Sequence, residues 1–299
     1  MKKVGFFIGC NTAFNRPDNE ASVRYALPKL GVEIDNLDGQ TCCPAFGTMP
    51  SIDDAAWAAS SAWNLIIAEE RGVDIVTTCG SCYGSLSESY HNLHDKPGMK
   101  DKVNEQLAKI GKQYKGTSKV RLLVNYLYNE IGLEAIKQAA TINLNGLKVA
   151  VQPGCHTIWP SKAYYEGESD AFHPARLREL VEALGGSAPA YSRLTDCCGM
   201  GAMRSASPER SMILFKKKLE TINAELAPDL IVTGCNSCLM QFDMSQDQLQ
   251  KKGELESVVP AMHIMQLLAI CLGADPKQMT AMSVQNMDEI LNKICGVKI

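Results

Sequence analysis

Leu65–Cys82 reads LIIAEERGVDIVTTCGSC, and Thr221–Cys238 reads TINAELAPDLIVTGCNSC. At a constant offset, Ala68, Glu69, Ile75, Val76, Thr77, Cys79, Ser81 and Cys82 meet Ala224, Glu225, Ile231, Val232, Thr233, Cys235, Ser237 and Cys238. Working outward, Cys42-Cys43 recurs as Cys197-Cys198, and Gly9-Cys10 recurs as Gly154-Cys155. Self-similarity at a fixed period marks a duplicated structural unit. The division falls near Thr141 to Gly146, giving a first repeat over 1–145 and a second over 146–299.

Both repeats carry the same coarse pattern. Val4–Ile8 and Lys148–Gln152 are short apolar runs of the kind that form buried strands, and each leads into Gly-Cys. Helical segments follow, over Glu20–Leu30 in the first repeat and Pro174–Leu184 in the second, the latter with proline at its start. Val32–Leu37 reads as a further strand leading towards Cys42-Cys43. Long helices are expected over Ile52–Arg71 and Pro208–Leu226, with Ser51 and Ser207 as N-caps. Asp74–Thr78 and Leu230–Thr233 are strands that enter the two CxxC turns. Strand–helix alternation implies an α/β fold: two pseudo-symmetric repeats, each a mostly parallel sheet with flanking helices. Ligands of such sheets sit beyond the carboxyl ends of the strands. The cysteines lie at those strand ends and can converge there.

Composition bounds the function. Of 299 residues, 45% are hydrophobic and 21% charged, enough to bury a core, and the net charge of −3 argues against a nucleic-acid footprint. The most apolar stretch, Val258 to Leu272, is interrupted by Pro260, His263 and Gln266, so no membrane span is expected. The apolar run near the N-terminus is too short for a signal peptide and fits a buried first strand. A cytoplasmic protein is therefore expected. In a reducing compartment twelve cysteines point to metal ligation or redox chemistry and away from disulfides.

Ten of the twelve fall into two sets: Cys10, Cys42, Cys43, Cys79, Cys82, and Cys155, Cys197, Cys198, Cys235, Cys238. A lone CxxC carries little information, whereas a CC pair and a CxxC at nearly matching spacing, in two copies, is specific. Structural zinc takes four ligands and usually two tight pairs, which leaves a fifth thiolate over. Zinc in one half stays open as the minor alternative. A dithiol redox motif would account for CxxC but not for the other three cysteines of each set. Iron–sulfur centres suit the remaining pattern, because soft thiolates favour multinuclear clusters and a helix N-terminus after CxxC offers N–H groups to anionic sulfur. The closely spaced ferredoxin run ending in Cys-Pro is absent, so a further electron carrier is expected on another chain.

Gly-Cys10…Cys42-Cys43-Pro…Cys79-Gly-Ser-Cys82, repeated as Gly-Cys155…Cys197-Cys198-Gly…Cys235-Asn-Ser-Cys238, resembles the duplicated cysteine-rich CCG domain family, and within it the B subunits of CoB–CoM heterodisulfide reductase. The resemblance spans nearly the whole chain. The first motif departs from it in reading Cys-Cys-Pro. It implies that each five-cysteine set holds a noncubane [4Fe-4S] cluster with one bridging cysteine. It also implies that the disulfide CoM-S-S-CoB is reduced between the clusters to two thiols. Electrons from a hydrogenase or formate dehydrogenase module would pass through a flavin-containing A subunit to a ferredoxin-like C subunit, which delivers them. The alternative within the family is the iron–sulfur subunit of another oxidoreductase complex, in glycolate or lactate oxidation, fumarate or sulfur metabolism.

Other candidates stand beside the cysteines. His156 follows Cys155 and is a candidate catalytic proton donor to a departing thiolate, or else only a hydrogen-bonding neighbour of the site. Coenzyme M carries a sulfonate and coenzyme B a phosphate and a carboxylate. Arg16, Arg204 and Lys162, each close in sequence to a cysteine, are candidate substrate-binding cations, against the simpler reading as solvated charges. Cys271 and Cys295 belong to neither set and read as packing residues. Asp95 to Lys119 reads as an exposed helix flanked by loops.

Overall fold

A computed structural model describes residues 2–159 and 166–298. The first repeat runs β1 (Lys2–Phe6), α1 (Gly9–Asn15), α2 (Pro17–Lys29), β2 (Val32–Asn36), α3 (Asp54–Arg71), β3 (Asp74–Thr77), α4 (Gly80–Asp95) and β4 (Val120–Leu122). The second runs β5 (Val149–Gln152), α5 (Cys155–Ile158), α6 (Arg176–Ala183), α7 (Pro208–Leu226), β6 (Leu230–Thr233), α8 (Asn236–Lys251), β7 (Ala261–His263) and α9 (Ile264–Cys271). Short helices at Met49–Ile52, Met99–Ala108, Leu133–Ala139 and elsewhere join these elements.

All strand pairs in both sheets are parallel. The first sheet has the order β2-β1-β3-β4 and the second β5-β6-β7. Register is set by the apolar runs: Val4 meets Ile34 on one side and Asp74 on the other, and Ile231 meets Ala261. The alternation of strand and helix is thus realised as expected, and β6 has the bounds read from the sequence. Several other ends differ. β1 covers Lys2–Phe6 because Lys2 already pairs with Val32, while Phe7 N closes the strand on Val76 O. Asp53, and not Ser51, caps α3: its carboxylate accepts from Ala56 N at 3.0 Å. Ser207 is the N-cap residue of α7, yet its side chain makes no capping bond. α6 starts at Arg176, later than Pro174, because the Glu168 carboxylate takes the N–H groups of Ala175 and Arg176.

The two repeats interleave. Helix α9, at the end of the second, packs on α2 of the first, and Leu133–Ala139 packs on α6. The linker is pinned where the N–H groups of Thr141 and Ile142 both donate to Cys271 O, at 2.8 and 3.1 Å. Buried side chains from both sheets form one continuous apolar core. It includes Cys271, which is fully buried, as a packing thiol should be. The carboxyl ends of β3 and β6 meet at the seam. Asn236 N donates to Thr78 O at 3.0 Å, and the Asn236 side chain bridges Thr12 and Asn19 of the first repeat. His263, at the end of β7, accepts from Met265 N through Nδ1, so its Nε2–H donates to Thr78 O at 3.2 Å.

Candidate metal centres

Cys10, Cys155 and both CxxC pairs follow directly on a strand and Cys42-Cys43 come after β2, whereas ahead of Cys197-Cys198 there is only the bridge at Ser187. Gly9 and Gly154 turn the chain with φ of 70° and 95°. A Cβ at Gly9 would lie 2.8 Å from Cys82 Sγ, and one at Gly154 3.2 Å from Cys235 Cβ, so glycine is needed for both backbone conformation and close approach. Cys79 and Cys235 leave β3 and β6 in extended conformation and stand at the N-caps of α4 and α8. The positive ends of these two helices therefore face the thiols.

The ten cysteines form two runs of neighbouring thiols that meet at the seam. In the first repeat the order of neighbours is Cys10, Cys42, Cys43, Cys82 and Cys79. In the second the order is Cys155, Cys197, Cys198, Cys238 and Cys235, with Cys198 and Cys238 sulfurs 3.3 Å apart. The halves join where Cys79 and Cys235 stand close across the seam. The joint is braced by Gly80 N, which donates to Cys235 Sγ at 3.1 Å, and by Ser237 Oγ, 3.3 Å from Cys79 Sγ. The inner members of both runs are buried. The outer members Cys10, Cys42 and Cys197 are exposed, and Cys155 is half-buried. Among the described residues no three His, Cys, Asp or Glu side chains are grouped as ligands of a single metal ion.

Hydrogen bonding divides the thiols into donors and acceptors. Donation to Cys43, then burial, raises the pKa of Cys42; Cys155 is raised in the same way by Cys197. Accepting from Cys42 holds Cys43 down to about 5, and accepting from Cys155 holds Cys197 down to about 2. Gly199 N adds a donor to Cys197 Sγ at 3.3 Å. Five soft donors per repeat, with backbone N–H groups aimed at sulfur, suit an anionic multinuclear iron–sulfur group.

His156 lies at the seam. Its ring stacks on Trp159, meets Phe46 edge-on at 5.9 Å, and has Nδ1 4.0 Å from Cys155 Sγ. A Cβ at Gly84 of α4 would come within 2.7 Å of this ring, so Gly84 lets a second-repeat histidine rest on a first-repeat helix. Burial pushes its pKa down, which favours the neutral imidazole.

The candidate cations separate. Arg16 is turned inwards and is only 2% exposed; it forms a two-toothed pair with Asp18 and reaches Asp243 at 2.8 Å. It ties the first repeat to α8 and is not available to a substrate anion without abandoning two buried carboxylates. Arg204 is half-buried beside the Cys197-Cys198 turn, and its bonds among the described residues go to neutral groups, Gln241 Oε1 and Ser245 Oγ. Lys162 lies outside the described residues. A further cation escapes sequence reading altogether. Lys218 is fully buried, its Nζ held by the carbonyls of Arg193, Leu194 and Asp196 in the loop before Cys197. Its position on the buried stripe Phe215, Lys218, Leu219, Ile222 is the signal that could have found it.

Comparison with known proteins agrees with this geometry. The model of the CCG family, described as a cysteine-rich domain, matches residues 4–87 and 149–243. The chain is 50% identical to a protein of Archaeoglobus profundus named as like the B subunit of heterodisulfide reductase, over 98% of each chain. It is 38% identical to the B subunit of the ferredoxin/F(420)H(2)-dependent CoB-CoM heterodisulfide reductase of Methanosarcina acetivorans, over 98% of this chain and 97% of that one. A hypothetical protein from Helicobacter pylori of known crystal structure shares the fold, with a TM-score of 0.69 and 14% identity over 94% of this chain and 51% of that one. With both cysteine sets brought to a single seam and matched twice over by the family, the chain belongs to the duplicated cysteine-rich CCG domain family, among relatives of the heterodisulfide reductase B subunits.

Proposed function

We propose that the chain is the catalytic subunit of a heterodisulfide reductase, cleaving CoM-S-S-CoB into coenzyme M and coenzyme B. The observation that carries this reading is the meeting of the two cysteine sets at the seam, where Gly80 N donates to Cys235 Sγ at 3.1 Å and Ser237 Oγ lies 3.3 Å from Cys79 Sγ. Disulfide cleavage takes up two electrons and two protons and releases two thiols. Loaded with a noncubane [4Fe-4S] cluster on each run, the chain would supply those two electrons, one from each centre. Cys10, Cys42, Cys43, Cys79 and Cys82 hold one group, and Cys155, Cys197, Cys198, Cys235 and Cys238 the other. His156 has Nδ1 4.0 Å from Cys155 Sγ and is the proposed proton donor to a departing thiolate once its ring has taken up a second proton, the form that burial disfavours. Arg204 is the proposed partner of a substrate anion, and its guanidinium is met there only by neutral groups among the described residues.

The remaining parts of the reading come from the family. The proposed electron partners are a ferredoxin-like C subunit and, behind it, a flavin-containing A subunit fed by a hydrogenase or formate dehydrogenase module. Twelve free thiols suit the reducing cytoplasm, and no helix among the described residues is long and apolar enough to cross a membrane. The test starts with anaerobic iron and sulfide analysis of the full chain, where about eight irons are expected for two four-iron centres. One zinc with about four irons would demote one repeat to a structural role. Substrate is then titrated into the partly reduced protein and followed by electron paramagnetic resonance. CoM-S-S-CoB should perturb the signals, and a spectrum unchanged at saturating disulfide would sink the proposal.

A further inference from the structure

Helix α7 carries three consecutive lysines, and they behave differently. Lys216 reaches Glu254 at the surface and Lys217 is exposed, whereas Lys218 is wholly buried. The Lys218 ammonium donates to Arg193 O at 2.8 Å, Leu194 O at 3.2 Å and Asp196 O at 2.6 Å, and lies 5.6 Å from the centre of the Tyr191 ring. All of these partners are neutral. None of the ion pairs among the described residues includes Lys218, and the Asp196 carboxylate is engaged by Arg193. A buried cation held only by neutral groups is costly unless an anion compensates it. Burial pulls its pKa down to about 8, and the groups that favour its charge are the thiols of Cys198 and Cys238, then Asp196 and the thiol of Cys197. At the offset relating the repeats, Lys218 corresponds to Ala62 on α3, equally buried. At this position the second repeat carries a buried ammonium, held by the carbonyl of the residue before Cys197, and the first repeat carries only a methyl group.

We propose that Lys218 makes the second-repeat centre the easier of the two to reduce, so that the first electron from a one-electron donor enters there. This rests on the iron–sulfur reading above. Reduction adds one negative charge to the centre while the donor loses one electron. A fixed cation in a poorly screening interior stabilises the reduced form. The second electron then goes to the first-repeat centre, which lacks the cation. The same ammonium draws the Arg193–Asp196 loop onto α7, so Lys218 is a positioning residue as well as a charge. Only the charge moves a potential selectively.

The experiment is a redox titration of the full, cluster-loaded chain followed by electron paramagnetic resonance, with iron and sulfide measured on each sample. Wild type should show two midpoints, and in Cys43→Ser, which damages the first set, the surviving midpoint should be the higher one. Lys218→Gln keeps a donor for the carbonyls but removes the charge. It should lower only the higher midpoint, by a tenfold change in the one-electron equilibrium, about 59 mV. Lys218→Arg should restore it. A single shared midpoint in wild type, a surviving lower midpoint in Cys43→Ser, or equal movement of both midpoints in Lys218→Gln overturns the proposal. If Lys218→Gln fails to load, the first two measurements still decide. Wild-type chain that binds no iron and sulfide refutes the cofactor reading itself, a result distinct from any of these.

Discussion

The two repeats agree at their cysteines and disagree in what surrounds them. β2 forms a full edge strand in the first sheet; its place in the second is held by one bridge, between Lys148 and Ser187. After the paired cysteines the first repeat has Pro44, whose carbonyl accepts from Trp57 Nε1 and Ser85 Oγ. The second has Gly199 at φ 88°, where a Cβ would stand 2.6 Å from Ser211 O and where Ser211 Oγ holds the glycine carbonyl at 2.7 Å. The departure from Cys-Cys-Gly in the first repeat is thus a different way of fixing the same turn. Asn11 beside Cys10 bonds Ser237, while His156 beside Cys155 rests on Gly84. Duplication preserved the donor set and left its surroundings free to diverge, so two equal ligand sets sit in unequal environments.

This comparison can be broken in three ways. The largest effect is expected from Cys10→Ser against Cys155→Ser. Each should lose about half of the bound iron and lower disulfide turnover by about 100-fold or more, scaling up from the cost of losing an outer-shell partner. If either variant loses all its iron, the two centres are not separate. Next is the cross-repeat ion pair. Arg16→Met should cost about 3–5 kcal/mol in urea unfolding, because it strands Asp18 and Asp243 in the interior. A loss within the roughly 0.5 kcal/mol usual for surface changes would show that the pair does not bind the halves together. The smallest effect concerns matching helix ends. Gly72 closes α3 at φ 64°, and Ala227 closes α7 at φ 43°. Ala227→Gly should stabilise by about 1 kcal/mol and Gly72→Ala should destabilise by a similar amount, both read by the same unfolding assay.

Much of this was legible in the chain because it is local. The run Leu230–Thr233 has no reading other than a buried strand, and the CxxC that follows fixes where the sheet delivers its thiols. The ligand sets were legible for the same reason, being doubled in sequence. What was not legible depends on contacts across the fold. Arg16 looks like a surface cation until Asp243, 227 positions away, is folded against it. Lys218 hides in a run of three lysines, and only the helical stripe separates it from its exposed neighbours. α3 starts at Asp54, two residues beyond the start the sequence suggests, because Ser51 and Asp53 are both good caps and the choice depends on the short turn at Met49–Ile52.

The interleaving of the repeats also governs the order in which the molecule can be completed during synthesis. α2 packs on α9, the Tyr25 hydroxyl donates to Leu272 O, and Ser22 bonds the sulfur of Met279, which the ribosome adds 257 residues later. The first repeat therefore emerges with one helix face uncovered and keeps it so until α9 and Met279 have followed. Such a surface is prone to association while it waits. A nascent chain of this architecture needs shielding, by a chaperone or by low local concentration, for longer than two independent domains of the same size would.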